Sequence, residues 1–226
     1  MSSEDKSFIY SDHKSILDKI ILKKRNEIVK LIDNFFSDKF LYDVLDIGTT
    51  EDTNHKSSNF IIKNLNSFKV FKSISNQKII SNFFKEKLTK SITEDFSNME
   101  LERFKADLVI SNATIEHVGN YKNQIKMCKN IINLSKKYFV IITPNRYHPL
   151  EFHSKLPFLH WLPRKLHRVI LILLGYKVLS KEENLNLLSK NDLIKIMNEI
   201  NHKNFNFKYL NFLFFRSNLI LIGKKN

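Results

Sequence analysis

The chain predicts an α/β fold, and three observations carry that prediction. Short apolar runs at Val44, Leu45 and Ile47, at residues 106–111 (ADLVIS) and at residues 138–143 (YFVIIT) read as strands covered on both faces. Between the last two, Ile125, Cys128, Ile131 and Ile132 recur at helical spacing. Strand, helix and strand in that order form a right-handed parallel crossover, the unit of an open α/β sheet.

The remaining elements follow in chain order. A helix is expected over residues 12–36, capped by Ser11 or Asp12, with Leu17, Ile21, Ile28, Leu31 and Phe35 on one stripe. The first strand, 42–47, stops at Gly48, which turns the backbone without a Cβ. A helix over 57–65, a strand over 67–74 and a helix over 78–88 follow, the last with Ile79, Ile80, Phe83 and Phe84 as its apolar face. After strand 106–111 come helix 121–137 and strand 138–143, ended by Pro144. Residues 144–188 form an aromatic-rich insertion punctuated by prolines. Ser189, with Asp192 three positions on, opens a capped helix that turns Leu193, Ile196, Met197 and Ile200 inward. Segments 205–212 and 218–223 close the chain as two adjacent strands.

The 226 residues, 42% of them hydrophobic, suffice for one substantial core. We therefore expect one domain over 1–226, with an N-terminal helical extension (1–38) and a substrate lid (144–188). Glycine and proline number four each, which leaves no composition for a linker. Cys128 is the only cysteine, so a disulfide within the chain and a cysteine-rich metal site are both excluded. It sits on an apolar stripe and reads as core. The polar start MSSEDK is unlike a secretory signal, and a cytoplasmic location is expected. The apolar run 169–175 (VILILLG) is too short to span a bilayer and reads first as a buried helix. Preceded by Arg164, Lys165, His167 and Arg168, segment 164–175 has a second reading, as a contact with an anionic membrane surface that would hold the protein peripherally at the inner membrane. The net charge of +14 invites nucleic acid, but the lysines are spread along the chain and arginine is scarce, which argues against that partner.

Polar side chains gather where three expected strands end: IGTT at 47–50, SNATIEH at 111–117 and TPNR at 143–146. Ligands of open α/β sheets sit beyond such carboxyl ends. Asp46 offers a carboxylate there, while a single glycine in place of three spaced ones argues against a pyrophosphate cradle and NAD. Glu116 and His117 form an acid/base pair, or else orient a backbone amide and cap the next helix. The insertion adds Asn145, Arg146, His148, Glu151, His153, His160 and Trp161 as candidates for holding substrate; Trp161 also reads as a hydrophobic anchor. His148, His153 and His160 match no compact ligand spacing, so no metal is expected.

Taken together, VLDIGTT, ADLVISNATIEHVGN, FVIITPNRYHPLEFHSKLPFLHWLP and ENLNLLSKNDL resemble class I S-adenosylmethionine-dependent methyltransferases. The likeness is to a bacterial subgroup found among genes for cell-surface polysaccharide or small-molecule biosynthesis, and it covers residues 40–223. It implies a three-layer Rossmann-like fold whose seven-stranded sheet is parallel except for one reversed strand in a C-terminal hairpin. It also implies S-adenosylmethionine as cofactor and a small-molecule or glycan acceptor, methylated at oxygen. By position, Asp46, Gly48 and Thr49 match the first cofactor loop, Ser111, Asn112 and Ala113 the loop beside the sulfonium, and Asp95 and Phe96 the adenine pair. A hydroxyl or ammonium acceptor would need a general base, for which His117, beside Glu116, is the first candidate and His148 or His153 the next. Two departures stand out. The glycine-rich first loop is IGTTED, and the second strand lacks a terminal acid for the ribose, a role left to Ser75, Asn76, Gln77 or Asp52. A non-catalytic binding protein on the same fold and an RNA methyltransferase are the competing readings.

Overall fold

The computed structural model describes residues 16–51 and 57–225. Its centre is a seven-stranded sheet: β1 (Asp43–Ile47), β2 (Val70–Ser75), β3 (Glu86–Thr89), β4 (Ala106–Asn112), β5 (Ser135–Pro144), β6 (Phe205–Phe212) and β7 (Phe215–Lys224). Their order is β3-β2-β1-β4-β5-β7-β6. β1, β2, β3, β4 and β5 pair in parallel, while β7 runs antiparallel to both its neighbours. This is the expected fold, reversed strand included.

Alternation along the strands builds two cores, one on each face. Leu45, Ile47, Val109, Phe139, Ile141, Leu219 and Leu221 point one way, against α4 (Tyr121–Leu134) and α6 (Lys190–Glu199) through Cys128, Ile131, Leu193, Ile196 and Met197. Val44, Leu108, Ile110, Val140, Ile142, Ile220 and Ile222 point the other way, against α1 (Ile16–Phe36) and α2 (Phe60–Asn64). Cys128 is fully buried, and burial pushes its thiol up to about 12. It is core, as the stripe implied.

α1 buries Ile28, Val29, Ile32 and Phe36, a face rotated from the expected stripe; Leu31 and Phe35 pack at its margin. The caps proposed at Ser11 and Asp12 lie outside the described residues. Of the helix expected over 57–65, only the five residues of α2 are helical, after a turn over 57–59.

The helix expected over 78–88 is absent. Ile79 and Phe84 are buried, but Ile80 is 67% exposed, so the apolar residues do not share one helical face. The backbone instead joins the sheet: Lys85 N–H donates to the Phe71 carbonyl (2.8 Å) and β3 follows along β2. α3 (Asn98–Phe104), which the apolar pattern did not announce, is opened by a capping box between Ser97 and Glu100. The box at Ser189 and Asp192 forms as expected and starts α6.

The insertion carries its own small core of Leu171, Tyr176, Leu179, Leu185 and Leu187. Its helix, α5 (Arg164–Leu173), corrects the buried-helix reading: only Leu171 is buried, whereas Leu166, Val169, Ile172, Leu173 and Leu174 face outward.

Candidate active site

The carboxyl ends of β1, β2 and β4 open onto a cavity of about 520 Å³, within the range of about 300–1,000 Å³ that ligand pockets occupy. Gly48 makes the turn that creates it, at φ +87°. A Cβ there would lie 2.3 Å from Thr114 Oγ1, so only glycine fits. The cavity is lined by Asp46, Gly48, Ser75, Asn112 and Ala113, all expected cofactor contacts, and by Asn76 and Gln77. Ala113 holds a left-handed conformation (φ 52°) that L-residues seldom adopt.

Hydroxyls do here what glycines do in a glycine-rich loop: they fix the path of the chain. Thr49 donates its hydroxyl to Asp46 (2.6 Å) and accepts one from Ser73 (2.8 Å). Ser75 Oγ donates to the Thr49 carbonyl (2.6 Å). Thr49 therefore lies behind the loop, 2% exposed, and shapes the cavity without lining it. Asp46 is nearly enclosed, and burial pushes its carboxyl up to about 6 against the lowering effect of the Thr49 bond.

Three further expectations on the cofactor side need correction or fall outside the structure. Asp95 is exposed and ion-paired to Lys126 (2.8 Å), and Phe96 packs against the core under Lys90; neither lines the cavity. Ser91, Ile92 and Thr93 take that wall. Ser111 is wholly buried and lies outside the lining, its hydroxyl without a partner among the described residues. Asp52 is outside the described residues. Sequence reasoning also missed Arg25, which reaches the cavity from α1 and donates to the Ser57 carbonyl. Its signal was its rarity: it is the only arginine before Arg103 in a lysine-rich chain.

His117 forms the cavity wall on the side of the insertion. It sits on a single 3₁₀ turn, Ile115–His117, directly after β4. Its Nδ1–H donates to the Asn184 carbonyl (2.6 Å), and its Nε2 stands 3.1 Å from Nε2 of His153. His153 in turn donates Nδ1–H to the Glu151 carboxylate (2.6 Å). Burial would raise Glu151, but the charge of His153 and bonds from His153 and Ser154 outweigh it and hold the carboxylate well below its usual range. Burial likewise pulls His153 down, yet Glu151 and Glu116 lift it above the ordinary imidazole value. His117 falls below that value because burial outweighs the attraction of Glu116. Glu116 is fully buried; its Oε2 accepts the Thr143 hydroxyl (2.9 Å), and its Oε1 has no partner among the described residues.

The other insertion residues mainly brace the insertion itself, although Trp161 is 42% exposed and His160 Nδ1 has no partner among the described residues. His148 is buried and stacks on Phe152; its Nδ1 lies 2.9 Å from the Leu150 carbonyl oxygen and 3.2 Å from the Leu150 nitrogen, and its Nε2 lies 3.2 Å from the Phe212 carbonyl oxygen. His160 and Trp161 both donate to the His148 carbonyl (2.7 and 3.3 Å). Arg146 donates to the carbonyls of His160 and Leu162, and Asn145 to that of Arg216. The fold thus separates the three histidines whose spacing argued against a metal. It brings one of them, His153, to Glu116 and His117.

No protein-family model matches the chain, and no curated protein sequence does. Solved structures do. Magnesium protoporphyrin IX methyltransferase from Synechocystis PCC 6803, with bound SAM, superposes with a TM-score of 0.54 at 11% identity, over 96% of this chain and 88% of that one. An S-adenosylmethionine-dependent methyltransferase from Clostridium acetobutylicum gives 0.56 at 11% identity, over 89% and 91%. The N-methyltransferase NodS from Bradyrhizobium japonicum gives 0.53 at 9% identity, over 92% and 98%. The fold is therefore that of the S-adenosylmethionine-dependent methyltransferases.

Proposed function

We propose that this protein transfers a methyl group from S-adenosylmethionine to an oxygen of a small-molecule or glycan acceptor, as in cell-surface polysaccharide or secondary-metabolite biosynthesis. The observation that carries the reading is the cavity at the carboxyl ends of β1, β2 and β4, lined by Asp46, Gly48, Asn112 and Ala113 and bordered by His117. Its size and mixed polar lining fit the cofactor. When bound, the cofactor supplies an electrophilic methyl on a sulfonium. The chain's work is then alignment and exclusion of water, which supplies up to about 7–11 kcal/mol of barrier reduction in the best cases. Asp46 and Ser75 would take the donor's polar groups, Asn112 and Ala113 would border the reacting methyl, and Glu116 with His117 would deal with the acceptor's proton. The insertion would choose the acceptor.

Calorimetry tests the reading: saturable S-adenosylmethionine binding by the intact protein, lost in Asp46→Ala, is expected, and absence of binding by the unaltered protein would overturn it. His117→Ala should lower turnover far more than cofactor affinity. Undiminished turnover would remove His117 from the reaction.

A membrane-bound, lipid-linked acceptor is favoured by one specific observation. Leu166, Val169, Ile172 and Leu173 are each between 47% and 78% exposed on a helix that also carries Arg164, Lys165 and Arg168. Such a face lies on anionic lipid. Cosedimentation with anionic vesicles, lost in Leu173→Asp, is the expected result; no sedimentation of the unaltered protein would discard this acceptor.

A further inference from the structure

A polar atom buried without a partner costs about 1–3 kcal/mol, so such an atom calls for an occupant. The cluster between the turn after β4 and the insertion holds one, Glu116 Oε1, beside two half-buried imidazole nitrogens, Nε2 of His117 and Nε2 of His153, whose only partners among the described residues are each other. The partner of His117 Nδ1 is a carbonyl, which only accepts, so Nδ1 carries the hydrogen and, in the neutral ring, Nε2 is a bare lone pair. The partner of His153 Nδ1 is the Glu151 carboxylate, with the same consequence. With both rings neutral, two lone pairs face each other at 3.1 Å; with one ring charged, a single hydrogen bond joins them. A Glu116 oxygen lies with these ring nitrogens in a group whose ligand atoms are all within 4.8 Å of one another, and Glu116 Oε1 is unspent.

Two occupants relieve this arrangement. A proton shared between the imidazoles satisfies both nitrogens and leaves the carboxylate oxygen as it was. A divalent cation uses all three ligands. The nitrogen separation of 3.1 Å suits either occupant, since it is a hydrogen-bond length and bonds of about 2.0–2.1 Å in tetrahedral geometry place ligands about 3.3 Å apart; the unpartnered oxygen of Glu116 beside the two rings favours the cation. The surroundings match as well: each ligand is aimed by a second group, His117 by the Asn184 carbonyl, His153 by Glu151 and Glu116 by Thr143.

We propose that Glu116, His117 and His153 bind one divalent transition cation of the zinc type, with a fourth position open toward the cofactor cavity. Two imidazoles select such an ion over magnesium or calcium. Because His117 also lines the cavity, an acceptor hydroxyl taking the fourth position is held beside the donor and made easier to deprotonate. In the transfer, the oxygen–carbon bond forms as the sulfur–carbon bond breaks, sulfur keeps the electron pair, and the acceptor's proton leaves to water; with the ion bound, Glu116 and His117 act on that proton through the ion and do not take it themselves. This role rests on the methyl-transfer reading; the ion site itself does not. The ion would also tie the insertion to the sheet, since His153 belongs to one and Glu116 and His117 to the other.

The test uses the intact protein, freed of metal by chelator and titrated with zinc by calorimetry and with cobalt(II) by visible absorption. One equivalent should bind with micromolar affinity or better, and cobalt should give the intense bands of a low-coordinate site. His153→Ala should weaken binding at least 100-fold and Glu116→Gln at least tenfold, while His202→Gln binds normally. Absence of stoichiometric binding, or unchanged affinity in His153→Ala, overturns the proposal. If the variants do not fold, X-ray absorption of the zinc-loaded unaltered protein decides: two imidazole nitrogens and one carboxylate oxygen support the site, and any other protein ligand set overturns it. S-adenosylmethionine binding, measured separately on metal-free protein, keeps the two readings apart. Cofactor binding without zinc binding removes only the ion; zinc binding without cofactor binding removes only methyl transfer.

Discussion

The two sides of the cavity treat their polar groups in opposite ways. At the end of β1, Asp46, Thr49, Ser73 and Ser75 spend their hydroxyls and carboxylate on one another or on backbone, and so hold a loop in shape. Beside the insertion, Glu116, His117 and His153 are each fixed at one atom, while among the described residues Glu116 Oε1 has no partner and the two Nε2 atoms have only each other. Groups that are satisfied internally give form, and groups kept unsatisfied are available to a ligand. The insertion repeats the lesson within itself, since His148 is fully engaged in packing and His153 is not.

The largest effect should come from disturbing the form-giving side. Gly48→Val adds a clash with Thr114 to a left-handed backbone, and we expect a loss of about 4 kcal/mol in denaturant unfolding together with at least 100-fold weaker cofactor binding. A mild effect on both would mean that the turn is not rigid.

His148→Ala should cost about 3 kcal/mol through lost stacking and an orphaned carbonyl, with cofactor affinity unchanged. If affinity for S-adenosylmethionine fell in step with stability, the strut and the site would be one unit, and the contrast drawn above would fail.

Asp46 provides a pH-dependent test. Its folded value, about 6, exceeds the ordinary 3.8, so the neutral carboxyl favours the folded state fully below pH 3.8 and that advantage is lost as pH rises through 6. Asp46→Asn should therefore stabilise the protein by about 2–3 kcal/mol at pH 8 and by almost nothing at pH 3.5, as read from unfolding curves at the two pH values. Equal effects at both would place the strain elsewhere. The smallest change is expected from Glu100→Ala, which removes half of the capping box of α3 and the ion pair with Lys90; about 1 kcal/mol of stability should go, with binding untouched.

The sheet was legible because strands buried on both faces carry apolar runs at their centres, as β1, β4, β5 and β7 do at residues 44–45, 108–110, 139–142 and 219–222. β3 was not, since an edge strand with burial on one side only leaves Glu86 and Lys87 among apolar neighbours, a pattern that imitates a helix. Asp95 and Phe96 match the adenine pair by position in the resemblance, whereas Ser91, Ile92 and Thr93, just beyond β3, line the cavity. α3 was announced by Ser97 and Glu100, a signal of three-residue spacing rather than of hydrophobic period. Among the insertion's histidines, residue type alone could not separate struts from ligands. Which ring meets a carbonyl and which meets another ring depends on contacts across 36 residues or more, as between His117 and His153.

The position of β7 has a consequence for synthesis. The last strand in chain order fills the gap between β5 and β6, so all of β5's antiparallel bonds, from Tyr138 to Pro144, wait for it. While the ribosome is still making residues 215–224, the nascent chain presents an open, apolar edge along Phe139, Val140, Ile141 and Ile142, the kind of edge on which chains stick to one another. Yield in the cell should therefore be limited at this stage, and a chaperone acting there would raise it.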